Sequence, residues 1–407
     1  MQKNSIAISL LLLFAAAAVG QQPRTFLLNA RTLMEIKAAP AADPARQHIV
    51  QLATEAGDRV LHDGPFSVMS KAVTPPSGDK HDYMSQAPYF WPDPSKPNGL
   101  PYIRHDGRRN PEIRKITDHD SLGQLGETSR ALALAYFFTG KSVYSDRAAL
   151  LLRTWFLDPA TRMNPNLEFG QGIPGINTGR GIGIIETRSF MQVVDAIGLI
   201  QGSSAWTAAD QQGMQEWFGK FVHWMRTSSK GQDESAAKNN HGTWYDLQLS
   251  DYALFLGDRD LAIATIRLAE TKRIARQIEP DGRQPLELAR TKAFSYSEGN
   301  LNGLMQLAEL GAEVGVDLWN YRASNGGSIR AALNYLVPFA LGQMPWPDQQ
   351  IEGFHGDALA HDLEMAALAY RDPAYATAAQ QLAGGREDFA TALYRFTLAH
   401  KDLAADG

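Results

Sequence analysis

The sequence contains no cysteine, so disulfide bonds, thiol nucleophiles and cysteine metal sites are excluded. It also has no excess of positive charge. The formal net charge of −5 argues against a general nucleic-acid binder, although clustered arginines can still hold an anionic substrate in an acidic protein. After residue 20 no stretch approaches about 18 uninterrupted apolar residues, so we expect a mature protein with no membrane contact.

Strand-like alternation is rare, whereas apolar residues recur at helical spacing, as in Leu122, Leu125 and Leu132. A Thr207–Asp210 capping box begins a further predicted helix. Short turns rich in Gly, Pro and Asp separate many of these segments, which favours antiparallel helix pairs. We therefore predict an all-α fold. The predicted later helices cover about residues 245–256, 259–277, 301–314, 328–341, 357–370, 373–383 and 386–400.

The N-terminal segment 1–20, MQKNSIAISLLLLFAAAAVG, has one lysine, an apolar run and small residues before Gln21. This pattern is typical of a secretory signal peptide, and the alternative is a buried N-terminal helix. We predict a signal peptide at 1–20, a single domain at 21–407, and a periplasmic or secreted protein.

Three long segments lack helical periodicity: about 71–118, 157–187 and 278–296. They are rich in Gly, Pro, Arg and aromatic residues, and loops of this length in a folded domain are usually functional or disordered. Their aromatic content argues against disorder. If the loops gather over one end of a helical toroid, they form a cleft.

The first loop combines Tyr89 and Trp91 with Arg104, Arg108 and Arg109. Aromatic faces and arginine forks are what a sugar-acid polymer requires, since the ring stacks and the guanidinium binds the carboxylate. The alternative is a surface loop pinned by proline, whose aromatic residues pack on the helices below.

The second loop, Gly170 to Phe190, carries several glycines with Arg180 and Arg188. It has no preceding strand and lacks the phosphate-loop lysine, which disfavours nucleotide binding. We expect the glycines to let the backbone approach a ligand that one of the arginines faces. Arg188 is equally compatible with a structural pair to Glu186 or Asp195.

The stretch KNNHGTWYDLQ, from Lys238, places polar groups before an apolar helical pattern. If the helix begins near Asn240, His241 stands at its N-terminus, where the helix dipole favours an anion. The alternative is that Asn239 or Asn240 caps the helix and that the histidine is structural.

The third loop ends in LELARTKAFSY, with Arg290, Lys292 and Tyr296. In one regular helix Arg290 and Tyr296 would point away from each other. If the segment with Arg290 is irregular and the helix starts near Tyr296, both residues can face one cleft. Tyr296 alone is also compatible with packing.

Together these motifs resemble the alginate lyase superfamily of polysaccharide lyases. The features that carry the resemblance are Asn239-Asn240-His241 with Trp244, then LELARTKAFSY, Leu286 to Tyr296. The stretches YFWPDP, Tyr89 to Pro94, and GINTGRG, Gly175 to Gly181, are similar to the branch with glucuronan-cleaving members. The resemblance covers about residues 83–370 and implies an (α/α) toroid that cleaves a uronic acid polymer by β-elimination.

The resemblance implies a catalytic group of Asn240, His241, Arg290 and Tyr296. Asn240, His241 and a cation such as Arg290 would neutralise the uronate carboxylate. Tyr296 would act as base and acid, or as acid only where His241 is the base. The arginine-rich pattern of better-known mannuronate lyases is absent before the tyrosine, where only Arg290 and Lys292 remain.

The expected substrate is an anionic uronic acid polysaccharide. The expected substrate-binding residues are Tyr89, Trp91, Arg104, Arg108, Arg180, Arg188, Asn239, Trp244 and Lys292. No metal or cofactor is expected, because side chains are assigned the charge-neutralising role and the histidines lack metal-ligand spacing.

Two alternatives stay open. A glycoside hydrolase on a similar toroid would need two carboxylates, for which Asp82, Asp106, Glu186 and Glu287 are candidates. A non-catalytic exported polysaccharide-binding protein would bind polymer without converting it.

Overall fold

Helices make up most of the protein in a computed structural model that describes residues 22–385 and 388–401. The predicted signal peptide lies outside the described residues. The first helices are α1 (Ala30–Ala38), α2 (Pro44–Val60), α3 (Asp118–Thr139), α4 (Ser142–Leu152), α5 (Phe190–Ile200), α6 (Ala208–Thr227), α7 (Ser229–Ala236) and α8 (Asn240–Leu256). They are followed by α9 (Arg259–Ala269), α10 (Ala275–Gln277), α11 (Pro285–Leu288), α12 (Ala293–Val314), α13 (Ile329–Ala340), α14 (Ala360–Tyr370), α15 (Pro373–Ala383) and α16 (Phe389–Lys401).

The helices form a ring. Helix α3 packs on α5, α5 on α8, α8 on α12 and α12 on α14, while α16 connects α14 back to α2, which packs on α3. Helices α4, α9 and α13 pack against α3, α8 and α12 from other sides. Helix α8 is buried at every position from Gly242 to Phe255, as expected for a helix enclosed by neighbours. The predicted all-α toroid of antiparallel helix pairs is confirmed.

Local sequence signals explain where several helices begin and end. Thr207 and Asp210 form the predicted capping box at the start of α6. Gly140, Gly257 and Gly315 end α3, α8 and α12 with φ of 70°, 80° and 80°, a left-handed conformation that glycine adopts without a Cβ clash. Within the described residues no helix is long and apolar enough to cross a membrane.

Short pairings tie the three long loops together. Strand β1 (Met84–Gln86) pairs in parallel with β4 (Phe169–Gly172), which joins the first loop to the second. Strand β2 (Phe90–Trp91) pairs in antiparallel with β3 (Ile103–Arg104) within the first loop. Hydrogen bonds between Asp106 and Thr291 join the first loop to the third. The loops therefore meet, as the sequence analysis expected for a cleft.

Short 3₁₀-helices at Val68–Ser70, Pro111–Lys115, Gly181–Ser189 and Gly356–Leu359 complete the connections. Two π-helical turns, Arg153–Leu157 and Glu270–Ile274, extend α4 and α9. The predicted irregular segment before Tyr296 ends at α12, whose first residue is Ala293.

Gly179 and Gly183 of the second loop serve close packing between neighbouring backbone segments. A Cβ on Gly179 would lie 2.0 Å from the carbonyl oxygen of Glu168, and one on Gly183 would lie 2.7 Å from the carbonyl carbon of Gly170. These close approaches are between backbone segments. The expectation that such glycines bring backbone to a ligand is therefore wrong at these two positions.

Candidate active site

Helix α8 begins at Asn240, as predicted, and Asn239 occupies the N-cap position without a side-chain cap hydrogen bond. Asn240 donates its backbone N–H to Oε1 of Glu287 and its side-chain Nδ2 to Oε2, both at 2.7 Å. Neither asparagine side chain therefore acts as an ordinary helix cap. Because a primary amide has two N–H donors, the contact with Glu287 uses only one Nδ2 hydrogen of Asn240.

Glu287 is buried, and burial raises its pKa, while the two hydrogen bonds from Asn240 and the charges of Arg290 and His241 oppose that rise. The Glu287 carboxylate therefore interacts with Asn240, Arg290 and His241, three of the residues predicted to be catalytic. This brings together segments that are well separated in the sequence.

His241 is held by a second carboxylate. Its Nδ1 lies 2.7 Å from Oε1 of Glu234, and the two side chains are 15% and 2% exposed. A carboxylate at Nδ1 fixes the proton on that nitrogen. Nε2 is then the nitrogen available to exchange a proton with a substrate.

Tyr296 lies in the first turn of α12 beneath the guanidinium of Arg290, whose Cζ is 3.8 Å from the ring centroid. Its hydroxyl donates a hydrogen bond of 2.8 Å to that of Tyr89. Burial and this hydrogen bond raise the pKa of Tyr296, and the Arg290 charge opposes both. The sequence prediction that Arg290 and Tyr296 share a site is in agreement with this geometry.

Arg290 also forms an ion pair. Its Nη2 lies 2.8 Å and its Nε 3.0 Å from the carboxylate oxygens of Asp106, and Arg104 contributes a second ion pair at 2.6 Å. Burial favours the neutral acid, but the hydrogen bonds from Arg290 and Thr291 dominate and hold the pKa of Asp106 well below its usual range. Asp106 thereby links the first loop to the segment that carries Arg290.

The remaining arginine of the second loop, Arg180, donates to the backbone oxygen and the Oε1 of Gln171 at 3.0 and 2.8 Å, and its Cζ lies 5.3 Å from the Phe90 ring. Arg180 thus braces the first loop against the second. Lys292 forms an ion pair with Glu352. Lys292 was the other cation that the sequence offered beside Arg290.

Arg188 lies over the ring of Trp244, with its Cζ 5.3 Å from the centroid. Its proposed structural partners are engaged elsewhere. Glu186 accepts hydrogen bonds from Tyr83 and Ser85 at 2.7 and 2.6 Å. Asp195 accepts them from backbone N–H groups of residues 26–28. Arg188 therefore contacts the Trp244 ring, which lies one helical turn from Asn240 in α8.

The outer part of the first loop is built differently. Trp91 donates its indole N–H to the backbone oxygen of Arg108 at 3.0 Å and meets His105 edge to face at 6.5 Å. Arg104 and Arg108 are exposed. Of the first-loop residues predicted to bind substrate, Tyr89 contacts Tyr296 directly, whereas Trp91 and Arg108 contact each other.

The carboxylates needed for a hydrolytic mechanism have partners. Asp82 accepts hydrogen bonds from Asn164 and Asn166 at 2.9 and 3.1 Å. As described above, Asp106 is paired with Arg290, Glu186 with Tyr83 and Ser85, and Glu287 with Asn240. Within the described residues, no group of three or more His, Asp or Glu side chains is arranged to hold a metal ion.

Sequence reasoning missed Glu234 altogether and considered Glu287 and Asp106 only as hydrolytic acids. All three hold a predicted catalytic side chain in place. The one available signal for Glu234 was an acidic residue in the polar segment just before the Asn-Asn-His motif.

Comparisons with known proteins match most of the chain to one family. The family model described as Alginate lyase matches residues 67–346. The solved structure of an alginate lyase from Bacteroides ovatus is 42% identical, covers 91% of this chain and 99% of its own, and superposes with a TM-score of 0.86.

More distant structures share the fold. Alginate lyase A1-III from Sphingomonas species A1 is 17% identical over 89% of this chain and 91% of its own, with a TM-score of 0.56. A variant of A1-III complexed with a tetrasaccharide is 17% identical over 88% of this chain and 96% of its own, with a TM-score of 0.55. The comparison with curated proteins found no match.

Proposed function

Because the chain belongs to the alginate lyase family, we propose that it cleaves a 1,4-linked uronic acid polymer by β-elimination, with alginate as the substrate class. The observation that carries this proposal is the convergence of Asn240, His241 and the Arg290–Tyr296 pair around Glu287. Glucuronan is the second candidate polymer, because the YFWPDP and GINTGRG motifs are similar to glucuronan-cleaving relatives. We also propose export to the periplasm or medium, on the signal-peptide pattern at 1–20.

The first requirement of the reaction is to stabilise negative charge. The proton to be removed is on C5, next to a carboxylate that is already anionic, so its loss builds up a dianion-like charge. The second Nδ2 hydrogen of Asn240 and the side chain of His241, both at the N-terminus of α8, are the groups we assign to stabilising this charge. A single well-placed donor of this type contributes about 3–4 kcal/mol to the transition state.

The second requirement is proton transfer. The electrons of the C5–H bond form the C4–C5 double bond, the C4–O4 bond breaks, and O4 takes a proton. Where the C5 proton faces Tyr296, the phenolate form of Tyr296 accepts it, and the resulting phenol then gives that proton to O4. Where it faces the opposite side, Nε2 of His241 accepts it and Tyr296 protonates O4. Both assignments are compatible with the observed positions of the two side chains.

Tyr296 needs a positive charge to act as base, because a free tyrosine has a pKa near about 10 and burial raises it further here. Arg290 supplies that charge from 3.8 Å above the ring. The hydrogen bond to Tyr89 holds the hydroxyl in one position. The Tyr89 side chain thus belongs to the catalytic arrangement as well as to the substrate-binding loop.

The test is an absorbance assay in the near ultraviolet with polymannuronate, polyguluronate and glucuronan. Elimination creates an unsaturated uronate that absorbs there, whereas hydrolysis does not. We expect product formation on at least one polymer and a fall of at least about 100-fold in kcat for Tyr296→Phe, because general acid–base groups contribute about 10²–10⁴-fold.

The matched control is Tyr335→Phe on the outer helix α13, which removes the same hydroxyl without touching the site. It should leave kcat unchanged, and circular dichroism should show both variants folded. Near-wild-type turnover in Tyr296→Phe, or reducing ends without absorbance, would refute the proposed reaction. Binding of polymer with no product at high protein concentration would indicate the non-catalytic alternative.

A further inference from the structure

The helical turn that carries Asn240 and His241 is held by a buried glutamine. Gln277, the last residue of α10, is 3% exposed and donates its Nε2 hydrogen to the backbone oxygen of Asn239 at 3.2 Å. Its Oε1 accepts the hydroxyl hydrogen of Thr243 at 3.0 Å. These two contacts lie on either side of Asn240 and His241 in the chain. One side chain therefore holds both ends of the turn.

The same oxygen of Gln277 also accepts a hydrogen bond from the helix that carries Tyr296. Nδ2 of Asn300, a fully buried residue of α12, donates to it at 3.0 Å. Asn300 follows Tyr296 by four residues, so the two side chains project from the same face of α12, one turn apart. Gln277 therefore contacts the two helices that carry the proposed proton-transfer groups.

The direction of each hydrogen bond fixes the orientation of these amides. Nδ2 of Asn300 gives its second hydrogen to Oε1 of Gln284 at 2.7 Å, and Gln284 donates to the backbone oxygen of Ser297 at 2.9 Å. Turning over the Gln277 amide would set its nitrogen against the donor of Asn300 and its oxygen against the oxygen of Asn239. Because buried polar groups without partners are costly, this network specifies a distance and a direction between the two helices.

The short helix α11 closes the network into a ring. Gln284, at its N-cap, contacts Asn300 of α12. Glu287, in the same helix, accepts two hydrogen bonds of 2.7 Å from Asn240 of α8. Gln277 makes the remaining link, directly between α8 and α12. Loss of the Gln277 side chain opens this ring, so the two helix starts can then shift relative to each other.

We propose that Gln277 is a positioning residue, which fixes His241 relative to Tyr296 by holding the N-terminal parts of α8 and α12 together. This inference rests on the proposed function, since it assigns proton transfer to these two side chains. Where Tyr296 accepts the C5 proton and gives it to O4, one side chain must be aligned with the sugar. Where His241 is the base and Tyr296 the acid, two side chains on opposite sides of the ring must be aligned at once. An error in their spacing therefore costs more in the second case.

The test replaces Gln277 with methionine, which has a similar length but neither the amide donor nor the amide oxygen. Polymannuronate and polyguluronate differ in the configuration at C5, so we expect unequal falls in kcat for Gln277→Met. The fall should be about threefold where the C5 proton faces Tyr296 and about 10–100-fold where it faces His241, because a misplacement of about 1 Å costs up to about 100-fold. KM should stay within about twofold on both polymers, because Gln277 is buried.

The matched control is Gln248→Met, which makes the same change at another buried glutamine. Gln248 accepts hydrogen bonds from Thr187 and Tyr252, and both of these partners lie outside α12. The control should lower the midpoint of thermal unfolding by a similar amount and leave kcat within about twofold on every polymer. An equal fractional loss of kcat on both polymers, or an equal loss in Gln248→Met, would show a general loss of stability and overturn the positioning role. Where only one polymer is cleaved, its kcat must fall in Gln277→Met and not in the control.

A second variant tests the link from its other end. Asn300→Leu removes the donor on α12 and should reproduce the kinetic effect of Gln277→Met. If both residues act through one link, the double variant loses no more kcat than the weaker of the two single variants, whereas independent effects multiply. Multiplied losses would overturn the link between the two helices.

A measurement without substrate separates this inference from the proposed reaction. The Cε1–H NMR resonance of His241, identified by its absence in His241→Ala, should shift in Gln277→Met and stay in place in Gln248→Met. If no polymer gives unsaturated product, the proposed reaction is refuted, while a shifted resonance still supports the control of His241 by Gln277. A resonance at the wild-type position overturns that control even where product forms.

Discussion

The contact between Glu234 and His241 gives the sharpest prediction about the site. In Glu234→Gln the amide oxygen can still accept the Nδ1 proton of His241, so the ring orientation is preserved. The negative charge, however, is lost from a side chain that is only 2% exposed and 2.7 Å from the imidazole. The substitution therefore isolates the electrostatic part of the contact.

Its magnitude follows from the type of hydrogen bond. A hydrogen bond to a charged group contributes about 1.5–3 kcal/mol, against about 0.5–1.5 kcal/mol for a neutral one. The difference of about 1–2 kcal/mol applies to the state in which His241 carries the C5 proton or stabilises the carboxylate. It corresponds to a fall in kcat of about five- to thirtyfold.

The assay is initial-rate absorbance on polymannuronate and polyguluronate. We expect the larger fall on the polymer whose C5 proton faces His241, because there the imidazole must accept a full charge. Asp233→Asn is the matched control: it neutralises the adjacent, exposed residue of α7 and should leave kcat unchanged on both polymers. If Glu234→Gln turns over both polymers at the wild-type rate, Glu234 does not position or charge His241 during catalysis.

Two further predictions concern buried acids. Glu287→Gln keeps one acceptor and loses one of the two 2.7 Å hydrogen bonds from Asn240. We expect kcat to fall about tenfold, measured by turnover, and the free energy of unfolding to drop by about 1–3 kcal/mol, measured by urea denaturation. Full activity would show that Asn240 does not need the hydrogen bonds to Glu287. Hydrogen bonds from Arg153 and Thr207 lower the pKa of Asp210 to about 2, below the value of about 3.9 in an unfolded chain. The ionised Asp210 therefore adds about 2 kcal/mol to the free energy of unfolding above a pH of about 4, and this contribution is lost as the pH falls towards 2. Asp210→Asn should remove that part of the pH dependence of unfolding, and an unchanged profile would contradict the assignment.

Local features of the fold were predictable because they depend on neighbours in sequence. The capping box at Thr207 and the left-handed glycine at Gly257 each follow from side-chain and backbone chemistry within one helical turn. The irregular chain around Arg290 could also be predicted. In one regular helix Arg290 and Tyr296 would point apart, so a site shared by both requires an irregular segment. The helix indeed begins at Ala293.

The partners of the residues predicted to be catalytic could not be predicted in this way. Asp106 and Arg290 lie 184 residues apart in the chain, and Asn240 and Glu287 lie 47 apart. Nothing in the composition of either segment specifies which carboxylate meets which donor, because that depends on how the loops close over the ring. The same limit applies to Gly179 and Gly183, whose close neighbours are backbone atoms of residues 168–170.

The contacts of Arg290 bear on which group would neutralise the substrate carboxylate. Two of its nitrogens already bind Asp106, while the face of its guanidinium lies 3.8 Å from the Tyr296 ring. Arg104 adds a second positive charge at 2.6 Å from Asp106, so the three groups together retain one net positive charge next to the phenol. That charge favours the tyrosinate that forms when Tyr296 gives up its proton. Under the proposed mechanism, neutralisation of the substrate carboxylate would rest mainly on Asn240 and His241. Glu287 and Glu234 hold these two side chains in position.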